Sequence, residues 1–194
     1  MKEKTINLYT FEELTEDQQA EVIEKNRDYY SDTTCNLIEY DEAHVMKLEE
    51  QGFINPKISY SLNYCQGDGA SFTCKELDFD LLLKDYKHAH KDWLLNILKN
   101  YCEVQIERSY SCHYVHERSC NTELYEYTQG NYPHIIDELD NIRQYIEDLR
   151  LQACETLAED LQADIDYLTS DEAIAEALII NEYYFNGETL EIEL

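Results

Sequence analysis

Apolar positions recur along the chain every three or four residues, then every second residue, then every three or four again. Such a change of period predicts helices at both ends and strands between them. "TEDQQAEVIEKNRDYY" opens on Thr15 with Gln18 three residues later, a capping-box pattern that predicts a helix start. A second helix is expected from Thr33 or Thr34 to Glu50. Its apolar stripe is Leu37, Ile38, Tyr40, Val45 and Leu48, and Gly52 stops it. "KISYSLNYC" alternates Ile58, Tyr60, Leu62 and Tyr64 against polar neighbours, a strand with one covered face, and "FTCKELDF" can be its partner. "FDLLLKDYKHAHKDWLLNILKNY" reads as a helix broken near Lys87–His90. "CEVQIERSY", "CHYVHERS" and "CNTELYEYT" are three further alternating segments and predict an antiparallel meander.

After Pro133 a long helix is expected as far as Leu168, with a stripe of Ile135, Leu139, Ile142, Ile146, Leu149, Ala153, Leu157, Leu161, Ile165 and Leu168. Thr169 and Glu172 make a second capping box. Asn186–Gly187 predicts a closing hairpin in which Leu190, Ile192 and Leu194 alternate. These elements predict an α+β fold: an antiparallel β-sheet packed by helices, with a long C-terminal helix and a C-terminal hairpin. The expected organisation is a single domain over 1–194, with a helical part at 10–52, a strand-rich part at 57–128, and the long acidic helix with the hairpin at 133–194.

Charge changes this picture most. Fifteen Lys and Arg face 42 Asp and Glu, a formal net charge of −27. Self-repulsion on that scale works against a compact state, so a function that uses the charge is expected. It excludes ordinary nucleic-acid binding, which needs cations to displace counterions, and it argues against docking on an anionic membrane. The charge is uneven. Residues 121–194 hold 19 acids and 2 bases, whereas residues 57–120 hold 9 and 8. The N-terminal residues carry no apolar run of the signal-peptide kind. The seven cysteines are irregularly spaced, so reduced thiols in a cytosol are the expectation.

Three places could carry chemistry. On the long helix, Asp137, Asp140, Asp148, Glu155, Glu159, Asp160, Asp164 and Asp166 lie mostly off the apolar stripe. Successive turns would then present carboxylates about 5–6 Å apart, near the phosphate spacing of a nucleic-acid strand. The turn Gln66, Gly67, Asp68, Gly69, Ser71 holds two of the chain's five glycines. A phosphate-binding loop would lead into a helix; this one joins two strands, so a structural turn is expected, with a small-ligand site as the alternative. Cys112, His113, His116 and Cys120 invite a zinc reading. On a strand, however, positions four residues apart lie about 13 Å from each other, so no metal and no cofactor are expected. There is no nucleophile elbow, no HExxH and no phosphate-cradling glycine loop, so catalysis has no candidate residues.

"FEELTEDQQ" at 11–19, "QGDGASF" at 66–72 and "YLTSDEAI" leading to "NEYYFNGE" at 167–188 resemble the characteristic pieces of a family of small acidic, mostly uncharacterised bacteriophage and prophage proteins. The resemblance implies a phage origin and an α+β fold. It implies no enzymatic activity. Charge and resemblance together lead to one expected function. The chain would be a phage-encoded inhibitor of a bacterial nucleic-acid-directed defence system, of anti-CRISPR or anti-restriction type, blocking a basic groove as a nucleic-acid mimic. The expected partner is a basic host protein. Neither nucleic acid nor membrane is bound directly, and homodimerisation is left open. The alternative is a non-enzymatic phage regulatory module that recognises a small ligand or host protein through the Gly67–Gly69 turn. A third option is a metal-binding protein using Cys112, His116 and Cys120.

Overall fold

In a computed structural model of the chain, residues 6–38, 42–62, 67–109, 114–127 and 135–193 are described, with no side-chain description for residues 31–38. The chain folds into two compact units, one of Met1–Tyr40 with Leu161–Leu194 and one of Asp41–Asp160.

The first unit contains strand β1 (Leu8–Thr10), helix α1 (Glu16–Ile38), helix α6 (Asp171–Ile180) and strands β8 (Tyr184–Asn186) and β9 (Ile192–Glu193). Its sheet has the order β1-β8-β9, antiparallel throughout, with Tyr9 opposite Phe185 and Phe185 opposite Ile192. Thr15 and Gln18 make the expected reciprocal cap before α1. The core is Phe11, Leu14, Val22, Ile174, Leu178, Phe185 and Leu190. Arg27 ties α1 to α6: its guanidinium donates to Asp171 at 2.5 Å and to the carbonyl of Thr169 at 2.8 Å.

The second unit contains α2 (Glu42–Glu49), β2 (Phe53–Ile54), β3 (Lys57–Ser61), β4 (Gly69–Thr73), β5 (Glu76–Leu77), α3 (Phe79–Leu82), α4 (Lys91–Tyr101), β6 (Cys102–Arg108), β7 (Cys120–Glu126) and α5 (Ile136–Leu168) through Asp160. Three two-stranded antiparallel ribbons, β2-β5, β3-β4 and β6-β7, replace the single sheet pictured from the pattern. Apolar residues of α4, β6 and α5 form the core, among them Leu94, Leu98, Val104, Leu139, Ile142 and Ile146. Phe53 and Phe72 meet edge to face at 4.9 Å. Among the described residues no helix is long and apolar enough to cross a membrane.

The α+β class, the long helix and the C-terminal strand pair are as expected; several details are not. Helix α1 runs on through Thr33 and Thr34 to Ile38, so the next helix starts at Glu42. "CHYVHERS" is no strand in its described part: Glu117–Ser119 is a 3-10 turn capped by His116, whose Nδ1 accepts from the amide of Arg118. Among the described residues the meander is therefore a two-stranded ribbon, β6-β7. Asn186–Gly187 does not close a two-residue hairpin either. The Asn186 side chain accepts from the amides of Glu188 and Thr189, and Leu190 sits at φ 56 with its side chain in the core. The wider loop keeps Leu190 buried at the cost of a tight turn.

The α6 cap is also displaced by one residue. Ser170 Oγ accepts from the amide of Ala173 at 3.2 Å, while Thr169 Oγ1 donates back to the carbonyl of Ile165. Ser170→Ala should lower unfolding free energy by about 1 kcal/mol in urea titration. A loss with Thr169→Ala and none with Ser170→Ala would put the cap at Thr169.

Candidate functional site

Helix α5 divides its faces sharply. Ile135, Leu139, Ile142, Ile146, Ala153, Leu157 and Leu161 are buried. At about 100° per residue, Asp137, Asp148, Glu155 and Glu159 fall within about 40° of one another on the opposite side. All four are exposed. Asp140 is exposed at the flank, with Arg143 Nε 3.5 Å from its carboxylate. The intervening solvent positions Asn141, Gln144 and Gln152 are neutral, and Gln144 donates to Asp148 at 2.9 Å. Asp160 leaves the row: it is half-buried and pairs with Lys47 at 2.7 Å. Asp164 and Asp166 belong to the other unit, the first half-buried, the second exposed and accepting from Gln162. The row of the second unit is thus sparser than expected, with axial steps of about 16, about 10 and about 6 Å, the last being Glu155 to Glu159.

The apolar side of the same helix holds a residue that the pattern did not reveal. Arg150 is fully buried, and its guanidinium grips Glu147 through Nε at 2.9 Å and Nη2 at 2.6 Å. Nη1 donates to the carbonyl of Glu117 at 2.6 Å. Glu147 also accepts from the amide and hydroxyl of Thr122 in β7, at 3.0 and 2.8 Å. Burial alone would push the Glu147 carboxyl up. The hydrogen bonds from Arg150 and Thr122, with the charge of Arg150, outweigh burial and hold it below the ordinary carboxylate range. A signal for Arg150 does exist: 146, 150, 153, 157 keep the 4-3-4 step of the stripe better than Leu149 does.

The glycine turn is packed against the same neighbourhood. Gly67 at φ 106 lies under the ring of Tyr114, where a Cβ would come within 2.6 Å. Gly69 at φ 153 lies against His116, whose Cα would be 3.1 Å from a Cβ. Asp68 accepts from the Ser61 hydroxyl at 2.8 Å, across the turn. Ser71 is buried and accepts from Ser119 at 3.0 Å. Gln66 lies outside the described residues. Both glycines thus have a structural reason to be there: left-handed backbone and close approach of the 114–119 segment.

Residues 29–171 match the family described as Domain of unknown function (DUF8835). The chain belongs to this family. The DUF8835 match spans the glycine turn, the Arg150 cluster and the whole carboxylate row. No curated protein and no solved structure matches the chain.

Four thiols of the DUF8835 stretch lie among the described residues. Cys74, Cys120 and Cys154 are buried and unbridged, and Cys102 is half-buried and unbridged. Burial pushes the Cys102 and Cys154 thiols up to about 11 and raises Cys74, so all three stay protonated and weakly nucleophilic. Among the described residues no three His, Cys, Asp or Glu are grouped to hold a metal ion. Of the zinc candidates, Cys112 and His113 lie outside the described residues, Cys120 is buried in β7, and His116 serves as a cap.

Gly67→Ala and Gly69→Ala should each cost about 1 kcal/mol or more in chemical denaturation, because each forces a side chain into left-handed backbone. Asp68→Ala, which removes the acceptor of the Ser61 hydroxyl, should cost less; the reverse order would mean that the turn is held by Asp68 and not by its glycines.

Glu147→Gln should lower stability by about 3 kcal/mol or more at pH 7, since it leaves Arg150 buried beside a neutral amide. The Glu147 pKa is depressed by folding, so its contribution is present above the unfolded value and is lost as pH falls through the folded one. The gap between wild type and Glu147→Gln, followed by melting temperature against pH, should therefore close below about pH 4. A gap that stays constant down to pH 2 or so would contradict an ionised Glu147 in the fold.

Proposed function

We propose that this chain is a phage-encoded inhibitor that binds the basic groove of a bacterial nucleic-acid-directed defence protein, in the host cytoplasm, in place of the nucleic acid. It works by binding alone, with no catalytic step. One observation carries the reading: Asp137, Asp148, Glu155 and Glu159 form a solvent-facing row with no cation among them. The two arginines of the helix are occupied elsewhere, Arg143 with Asp140 and Arg150 inside the core.

Unpaired carboxylates held on one face of a rigid helix repel one another, and that repulsion is relieved when a cationic surface covers them. Such a partner gains steering and register from the row, and a wrong, acidic partner is rejected. The close pair Glu155–Glu159 fits one cationic side chain bridging adjacent turns, and the wider steps fit cations spaced along a groove wall. The excess of acids over bases in residues 121–194 supports a cationic partner. The phage-like sequence pieces point to a defence protein as the cationic partner.

The test begins with capture of the partner from host lysate and continues with its affinity measured against salt. Asp148→Asn, Glu155→Gln and Glu159→Gln together should weaken binding by about 100-fold at low ionic strength and by little at high salt, where screening already hides the charges. A cognate nucleic acid should displace the inhibitor. Salt-independent binding, or nucleic acid and inhibitor bound together, would sink the mimicry reading.

A further inference from the structure

Strands β4 and β6 come from different ribbons and meet at one antiparallel bridge. The amide of Cys74 donates to the carbonyl of Ile106 at 3.0 Å, and that of Ile106 to Cys74 at 2.7 Å. Beyond the bridge β4 continues its pairing with β3 and β6 with β7, so the two ribbons part. A groove of about 730 Å³ opens there, within the usual range of small-ligand sites. Its floor is apolar, made by Ile54, Cys74 and Ile106, and its rim carries Lys57, Lys75 and Arg108.

Three cations on one rim are unexpected in this protein. Lys25, Arg27, Lys47, Lys99, Arg118, Arg143 and Arg150 each hold a carboxylate. With 42 acids for 15 bases, carboxylate partners are plentiful. Among the described residues Lys57, Lys75 and Arg108 form no ion pair, nor do Lys84, Lys87 and Lys91; the first three are set apart because they are exposed around one apolar floor. The nearby acids do not cancel them. Glu76 and Glu107 also line the groove, which leaves one positive charge in excess. Thr73 is the register partner of Lys57 and places a hydroxyl beside it.

We propose that this groove binds a phosphomonoester carrying a flat apolar group. The phosphate dianion would sit between Arg108 and the two lysines, where the planar guanidinium can offer two parallel donors. The apolar group would cover Ile54, Cys74 and Ile106. A free phosphate fits the charge but leaves the apolar floor wet; an uncharged aromatic fits the floor but leaves the cations without a counter-charge. The site is separate from the carboxylate row and does not depend on what that row binds.

Calorimetric titration of the full chain at physiological salt, with phenyl phosphate, inorganic phosphate and phenol as probes, tests the proposal. Phenyl phosphate should bind with a Kd of about 0.1 mM, at least about 10-fold tighter than inorganic phosphate, and phenol should show no saturation. Lys57→Ala, Lys75→Ala and Arg108→Gln together should weaken phenyl phosphate by about 10-fold or more, and Arg108→Gln alone should account for part of the loss. Lys84→Ala, Lys87→Ala and Lys91→Ala make the same change in net charge away from the groove and should leave binding unchanged. Absence of saturable phenyl phosphate binding, equal affinity for inorganic phosphate, or equal losses in the two triple variants would overturn the site.

Discussion

Arg150 gives up all of its hydration, and the interior returns it three things: the Glu147 carboxylate, the carbonyl of Glu117, and a place in the apolar track of α5. Removing an ion pair from water is costly, and the cost is offset only where every donor finds a partner. Here the partners come from separate elements. Thr122 brings β7 to Glu147, and Glu117 brings the turn before β7 to Arg150. That turn continues through Ser119 to Ser71 in β4, and His116 roofs Gly69. The helix, the β6-β7 ribbon and the glycine turn are thus held together by polar contacts that tolerate little displacement. An apolar contact would bind these elements without fixing their register; a guanidinium with directed donors fixes it.

This fixing has a consequence on the other side of the helix. With one side of α5 committed to the core and to Arg150, its rotation about its own axis is set. The carboxylates at Asp137, Asp148, Glu155 and Glu159 must face solvent. Their mutual repulsion is then a standing cost of the fold, carried by the packing beneath. A cationic surface that covers the row relieves this repulsion, which is the physical basis of the proposed inhibition.

Periodicity made the α+β class legible, because 3.6 and 2 are different periods and each persisted for several turns or pairs. The Thr15–Gln18 cap, the helix break near Lys87–His90 and the end of α5 at Leu168 could all be read from local residue chemistry. What local chemistry did not carry was register decided at a distance. "CHYVHERS" alternates like a strand, but His116 caps a turn whose place is set by Arg150, 34 positions further along by residue number. Asn186–Gly187 has the chemistry of a tight hairpin, but burial of Leu190 demands a wider loop. Of the carboxylates expected on one face, Asp160 turned out to pair with Lys47, a contact between α2 and α5 that spacing along α5 could not disclose. The groove between β4 and β6 was invisible for the same reason, since its walls are brought together by the long-range Cys74–Ile106 bridge.

The proposed inhibition requires that a partner cover the solvent face of α5. Carboxyl footprinting reads this directly: free and partner-bound protein are coupled to an amine with a carbodiimide and the modified positions are mapped by mass spectrometry. Asp148, Glu155 and Glu159 should lose reactivity in the complex while exposed acids of the first unit, such as Glu12 and Glu16, keep theirs. Unchanged reactivity along the row, with protection appearing elsewhere, would contradict it.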